Sequence, residues 1–220
     1  MTIHRTLFAW LLLGLLPAAS TAQETNRDRA RSILSVPVLS AVETLALEAE
    51  TDGLPSDPLF AKALEGAAKG IPEDRLVSAL NGFAARLRDA HTLLGPGTEA
   101  PLLVAGVDAL TRGVPGSTLR GLTPGERRPI TLVVLGDLVQ SGIPAPEAMS
   151  VVREALSRRT ADDALLEIPA LARRLLRERG STDAALEALR RRIRDSGGRV
   201  GPPAPPGSEP VSRDRRGGGG

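Results

Sequence analysis

Four copies of one tripeptide do most to limit what this chain can fold into. They are Gly53-Leu54-Pro55, Gly70-Ile71-Pro72, Gly113-Val114-Pro115 and Gly142-Ile143-Pro144. Each combines three local constraints. Glycine suits the left-handed position at which a helix ends, where any other side chain meets a Cβ clash. The aliphatic residue after it can fold back onto the last helical turn. Proline then forbids continuation and suits the first turn of another helix. The chain therefore reads as helices joined by short, similar corners.

Hydrophobic spacing supports this reading between the corners. A first helix is predicted over about Leu39–Thr51, with Val42, Leu45, Ala46 and Ala49 on one face. A second starts at Asp57-Pro58 and carries Leu59, Phe60, Ala63, Leu64, Ala67 and Ala68 in pairs four residues apart. The longest spans about Glu73–Leu94, with acids in its first turn and a stripe through Leu76, Leu80, Phe83, Leu87 and Leu94. Further helices are predicted from Thr98 or Glu99 to Arg112, over Ser117–Leu122, over Pro129–Ser141 and over Pro146–Arg158, with a polar loop at Thr123–Arg128. Thr160–Asp163 resembles a capping box, and Pro169 should break or kink the helical segment after it. Helices over Pro169–Arg179 and Thr182–Arg194 complete the set. Placing Pro115 on Pro144 puts Asp108 on Asp137, the sign of a helical-hairpin repeat of 29 residues. The fold class is all-α: an irregular multi-helix bundle, or a short array of helical hairpins, with eight or nine helices and Gly-aliphatic-Pro corners.

Both ends read as lying outside that fold. Residues 1–22 have the form of a secretory signal peptide, with Arg5, an apolar run over Leu7–Leu16 and small residues at Ser20-Thr21-Ala22. The run is too short to span a bilayer, which takes about 20 residues, and no later segment is long and apolar enough. Residues 23–36 are polar and read as a flexible lead, and 37–195 as the helical domain. The tail, 196–220, is rich in proline, glycine and arginine and its only branched aliphatic residues are Val200 and Val211, so it should be disordered.

Composition narrows the chemistry. There is no cysteine, and the segment after residue 22 holds one histidine, His91, which excludes most zinc, iron–sulfur and Cys–His sites. No GxSxG elbow, P-loop or dinucleotide fingerprint occurs, and no metal or cofactor is expected. Beyond the signal peptide the only aromatics are Phe60 and Phe83, so the core must be built from Leu, Val, Ile and Ala.

Two polar groups are candidate binding residues. Lys62, Glu65 and Lys69, which include the chain's only two lysines, share the polar face of the second helix. They read either as an anion- or partner-binding face or as a solvated face with an ordinary ion pair. His91 reads either as a partly buried helix histidine or as part of a small site. The second group is Arg173, Arg174, Arg177, Arg190, Arg191 and Arg192, residues suited to phosphate or carboxylate. Charge is divided along the chain. Residues 23–149 hold 12 basic and 16 acidic residues, a balance of −4, and residues 150–220 hold 15 and 10, a balance of +5. No aromatics interleave the arginines, so base stacking on nucleic acid is not expected.

The sequence points to an exported, periplasmic or secreted bacterial protein without enzymatic activity, a helical module for another envelope protein or an anionic envelope polymer. The alternative is a small-ligand carrier or enzyme using a cleft beside the helix 73–94, with Lys62, Glu65 and His91. Processing after Ala22 gives a direct test. The exported protein should have the intact mass of a chain beginning at Gln23, and almost no near-ultraviolet absorbance, because Trp10 is removed and no Tyr or Cys exists. A mature chain that retains Met1 or Thr2 would refute it.

Overall fold

The computed structural model describes residues 25–195. The predicted signal peptide at 1–22 and tail at 196–220 lie outside the described residues. Within them the chain is all-α, an irregular bundle of ten helices with no strand. The helices are α1 (Asn26–Ile33), α2 (Val36–Thr51), α3 (Asp57–Ala68), α4 (Glu73–Leu94), α5 (Ala100–Thr111), α6 (Gly116–Arg120), α7 (Pro129–Gln140), α8 (Ala145–Ser157), α9 (Asp162–Arg179) and α10 (Thr182–Asp195). A 3₁₀ turn at Pro124–Glu126 joins α6 to α7. Among the described residues no helix is long and apolar enough to cross a membrane.

All four Gly-aliphatic-Pro corners fold the same way. The glycines have φ of 72°, 66°, 93° and 92° at Gly53, Gly70, Gly113 and Gly142. In each, the aliphatic N–H donates to the carbonyl five residues back: Leu54 to Ala49 at 2.8 Å, Ile71 to Gly66 at 3.1 Å, Val114 to Ala109 at 3.0 Å and Ile143 to Leu138 at 3.2 Å. The glycine N–H donates three residues back, as in a Schellman motif. Leu54, Val114 and Ile143 are buried by this fold-back, whereas Ile71 stays exposed.

A fifth corner of the same form joins α8 to α9 without the tripeptide. Arg159 takes the left-handed position at φ 54°, and Thr160 donates its N–H to the Ala155 carbonyl at 3.2 Å. Thr160 thus stands where the other corners carry an aliphatic residue. It is buried, and its hydroxyl has no hydrogen-bond partner among the described residues. The expected capping box is therefore absent: Ala161 is the N-cap of α9, with no side-chain cap. The fold-back draws the hydroxyl inside rather than leaving it at the helix end.

The 29-residue register holds in three dimensions. It superposes the starts of α5 and α7, Gly113 and Gly142, and the starts of α6 and α8. Asp108 and Asp137, the residues it equates, both pair with Arg112. A second register, of 89 residues, places Gly53 on Gly142, Gly70 on Arg159 and the start of α4 on the start of α9.

Packing reflects the aromatic-poor palette. α4 contacts α2, α3, α5 and α6, and α7 contacts α5, α8 and α9, so the centre is shared by these two helices. Leu80, Leu87, Leu132, Leu135 and Leu138 are fully buried there. Phe83, predicted in the central stripe, is only half buried against the core. Missing side chains let helices approach closely. A Cβ at Gly66 would stand 2.3 Å from a Leu76 methyl, and one at Gly106 would stand 3.0 Å from a Leu94 methyl.

Two further expectations are corrected. The supposed flexible lead contains α1, whose only buried residue is Ala30. Its support is tertiary: Asn26 donates to both Asp57 oxygens at 3.1 and 3.0 Å, Arg27 pairs with Glu50 at 2.7 Å, and the Arg27 guanidinium lies 4.9 Å from the Phe60 ring centre. Pro169 does not break the chain into a new helix but sits buried inside a continuous α9. Losing one helical bond there costs about 3 kcal/mol. Burying Leu165, Ile168 and Leu175 on the same face offsets it, at roughly 1.5–3 kcal/mol each.

The fifth corner yields a prediction with an unusual sign, since both substitutions should stabilise. Arg159→Gly should raise stability by about 0.5–1 kcal/mol by relieving the left-handed strain. Thr160→Val should add about 1 kcal/mol by removing an unpaired buried hydroxyl. Thermal unfolding would report each as a rise of a few degrees. A fall for Arg159→Gly would mean that the arginine side chain holds that corner.

Candidate functional site: an arginine-rimmed cleft between the last two helices

α9 and α10 form an antiparallel hairpin. Gly180, left-handed at φ 68°, stops α9, and the Ser181 hydroxyl accepts a hydrogen bond from the Ala184 N–H at 3.2 Å as α10 begins. Leu165, Ile168, Ala172 and Leu175 line one face of α9, and Ala185, Leu186, Leu189 and Ile193 one face of α10. Beside this apolar contact lies an open cleft of about 230 Å³. Leu171, Leu175 and Ala188 provide its apolar wall; Arg174, Arg179, Arg191, Arg192 and Asp195 provide its polar groups.

The arginines here are paired differently from those that tie separate elements together. Arg88 holds Glu48 at 2.9 Å and Asp52 at 2.8 Å, tying α4 to α2. Arg128 meets Asp162 at 2.6 Å. Arg153 meets the buried Glu126 at 2.7 Å and holds that carboxyl below the usual carboxylate range. These are charge-assisted hydrogen bonds of ordinary strong length. Around the cleft, Arg174 approaches Glu178 only to 3.7 Å and Arg191 approaches Glu187 only to 3.8 Å. Both are exposed intrahelical pairs, and Arg179 makes no ion pair among the described residues. At Arg174, Arg179 and Arg191 the cleft thus carries positive charge that exposed carboxylates compensate only weakly.

The structure brings three of the six predicted arginines, Arg174, Arg191 and Arg192, to this cleft. Arg173 and Arg177 are exposed on α9 and do not line it. Arg190 donates to the Ser150 hydroxyl at 3.3 Å, towards α8. Arg179 and Asp195 were not among the predicted residues, because charge clustering along the sequence does not say which residues of two helices face one another. The signal that finds them is helical spacing, since Leu171, Arg174, Leu175 and Arg179 recur at steps of three and four.

The other candidates do not join it. Lys62 meets Glu65 at 2.9 Å, and Lys69 also pairs with Glu65, so the three form a local triad along α3. The hydrogen bonds from Lys69 and then Lys62 pull the Glu65 pKa down to about 2. His91 is half buried in the last turn of α4. It lies about 22 Å along that helix from Leu76, whose side chain packs on Gly66 beside the triad. Among the described residues no group of His, Asp or Glu could hold a metal ion. Comparison of the chain with protein-family models, with curated proteins and with solved structures returns no match.

The triad has a defined pH response. A carboxylate with a depressed folded pKa contributes stability that is present above its unfolded value, near 4.5, and is lost as pH falls towards 2. The side chains are 43–63% exposed, and water screening holds the whole contribution to roughly 0–1 kcal/mol. The small difference in unfolding free energy between wild type and Glu65→Gln should therefore close between pH 4.5 and 2. A difference that widens over that range would contradict the arrangement.

Proposed function

We propose that this is an exported, non-catalytic helical module, and that its cleft between α9 and α10 binds an anionic partner of the cell envelope. The carrying observation is the set of weakly compensated arginines at Arg174, Arg179 and Arg191 around one cleft. Guanidinium groups suit carboxylate and phosphate because their donors form a rigid planar fork. Arginines already held at 2.6–2.9 Å by carboxylates, as at Arg88 and Arg128, are committed to the fold. Arg174, Arg179 and Arg191 retain donors for a partner. The triad on α3 is a poorer docking face, because Glu65 already engages both lysines.

Binding of the mature protein to poly-glutamate, used as a soluble polyanion, tests this. Binding should weaken as salt rises, because these charges are exposed and screened. Arg174→Glu with Arg191→Glu should weaken it by about tenfold or more, while Lys62→Gln with Lys69→Gln should leave it unchanged. If the lysine variant loses binding and the arginine variant keeps it, the site lies on α3 and this reading falls.

A further inference from the structure

The same cleft has a feature that an anion alone does not require. Its arginines surround an apolar wall formed by Leu171, Leu175 and Ala188. Leu175 is almost fully buried, while Leu171 and Ala188 are half buried beside it. A polyanion in water gains nothing from such a wall. A molecule with an oxyanion head and an alkyl stem gains from both parts: the head meets the guanidinium donors, and the stem removes apolar area from water.

Resting on the anion-binding reading above, we infer that the cleft takes a short-chain alkyl carboxylate, with its head between Arg174 and Arg191 and its stem along Leu171 and Leu175. The volume sets the size. The open cleft of about 230 Å³ has room for a carboxylate with a short alkyl stem. This is below the usual range of about 300–1,000 Å³ for drug-sized ligands, so a long acyl chain is not accommodated whole. Asp195 shares the cleft and opposes the carboxylate by like charge, which lowers affinity and favours ready release. The Arg174–Glu178 and Arg191–Glu187 pairs do not block the head group, because exposed pairs of 3.7 and 3.8 Å yield readily to a ligand.

Calorimetric titration of the mature protein with acetate, butanoate, hexanoate and octanoate provides the test. Affinity should rise about two- to fourfold per added CH₂ through hexanoate, then flatten towards octanoate as the stem outgrows the cleft. Arg174→Gln with Arg191→Gln should lower hexanoate affinity by about tenfold or more. Asp195→Asn should raise it about threefold or more, a gain that partial unfolding cannot imitate. Affinity independent of chain length, with poly-glutamate binding still lost in the arginine variant, would overturn this inference and leave the anion-binding reading standing. Chain-length dependence that Asp195→Asn and the arginine variant leave unaltered would place the carboxylates elsewhere and overturn it too. Failure of both the carboxylates and poly-glutamate to bind would overturn both readings.

Discussion

The bond from an N–H at each corner to a carbonyl five residues back fixes the course of this chain. It occurs at Leu54, Ile71, Val114, Ile143 and Thr160, and each time it ends one helix and sets the direction of the next. Five short corners of one geometry leave little freedom to the helices between them. That restriction suits a core whose one buried aromatic among the described residues is Phe60, where helices must approach closely to bury enough surface. Gly66 and Gly106, seated under Leu76 and Leu94, provide that approach. The strained copy at Arg159-Thr160 shows that this geometry can form without the residues suited to it, because the flanking helices over-determine the turn.

Most of the fold was legible because its signals are local. Helix starts and stops at Gly53, Gly70, Gly113 and Gly142 needed only the tripeptide, and α4 was read with its true ends, Glu73 and Leu94. The features that escaped notice depend on distant partners. α1 is polar and aperiodic, and its holding contacts run to Glu50, Asp57 and Phe60, residues remote in sequence. Pro169 is permitted inside α9 by burial on one face, which no helix propensity records. Thr160 looked like a cap because its spacing to Asp163 was right, and its inward turn is visible only once the α8–α9 corner is built.

The candidate site was half legible for a similar reason. Arginine enrichment in the C-terminal part marked the region, and with it Arg174, Arg191 and Arg192. Which arginines share a cleft depends on how α9 meets α10, and this sorted Arg173, Arg177 and Arg190 away and brought in Arg179 and Asp195. Sequence also could not tell a committed arginine from an available one. Arg88, Arg128 and Arg153 meet carboxylates that the fold brings from distant segments, whereas Arg174 and Arg191 meet only a carboxylate on their own helix, at a longer distance.

The contrast between the two ends of the molecule extends to how each responds to its medium. α1 is fastened by exposed attractions between opposite charges, Arg27 to Glu50 and Arg31 to Glu43, and by the Asn26–Asp57 contact. The last hairpin instead gathers four arginines, against one aspartate, around its cleft. Mobile ions weaken attraction and repulsion alike over about 8–10 Å at physiological strength. Rising ionic strength therefore loosens the first helix from the body while it relaxes the tension between the last two. Dilution acts on both in the reverse sense.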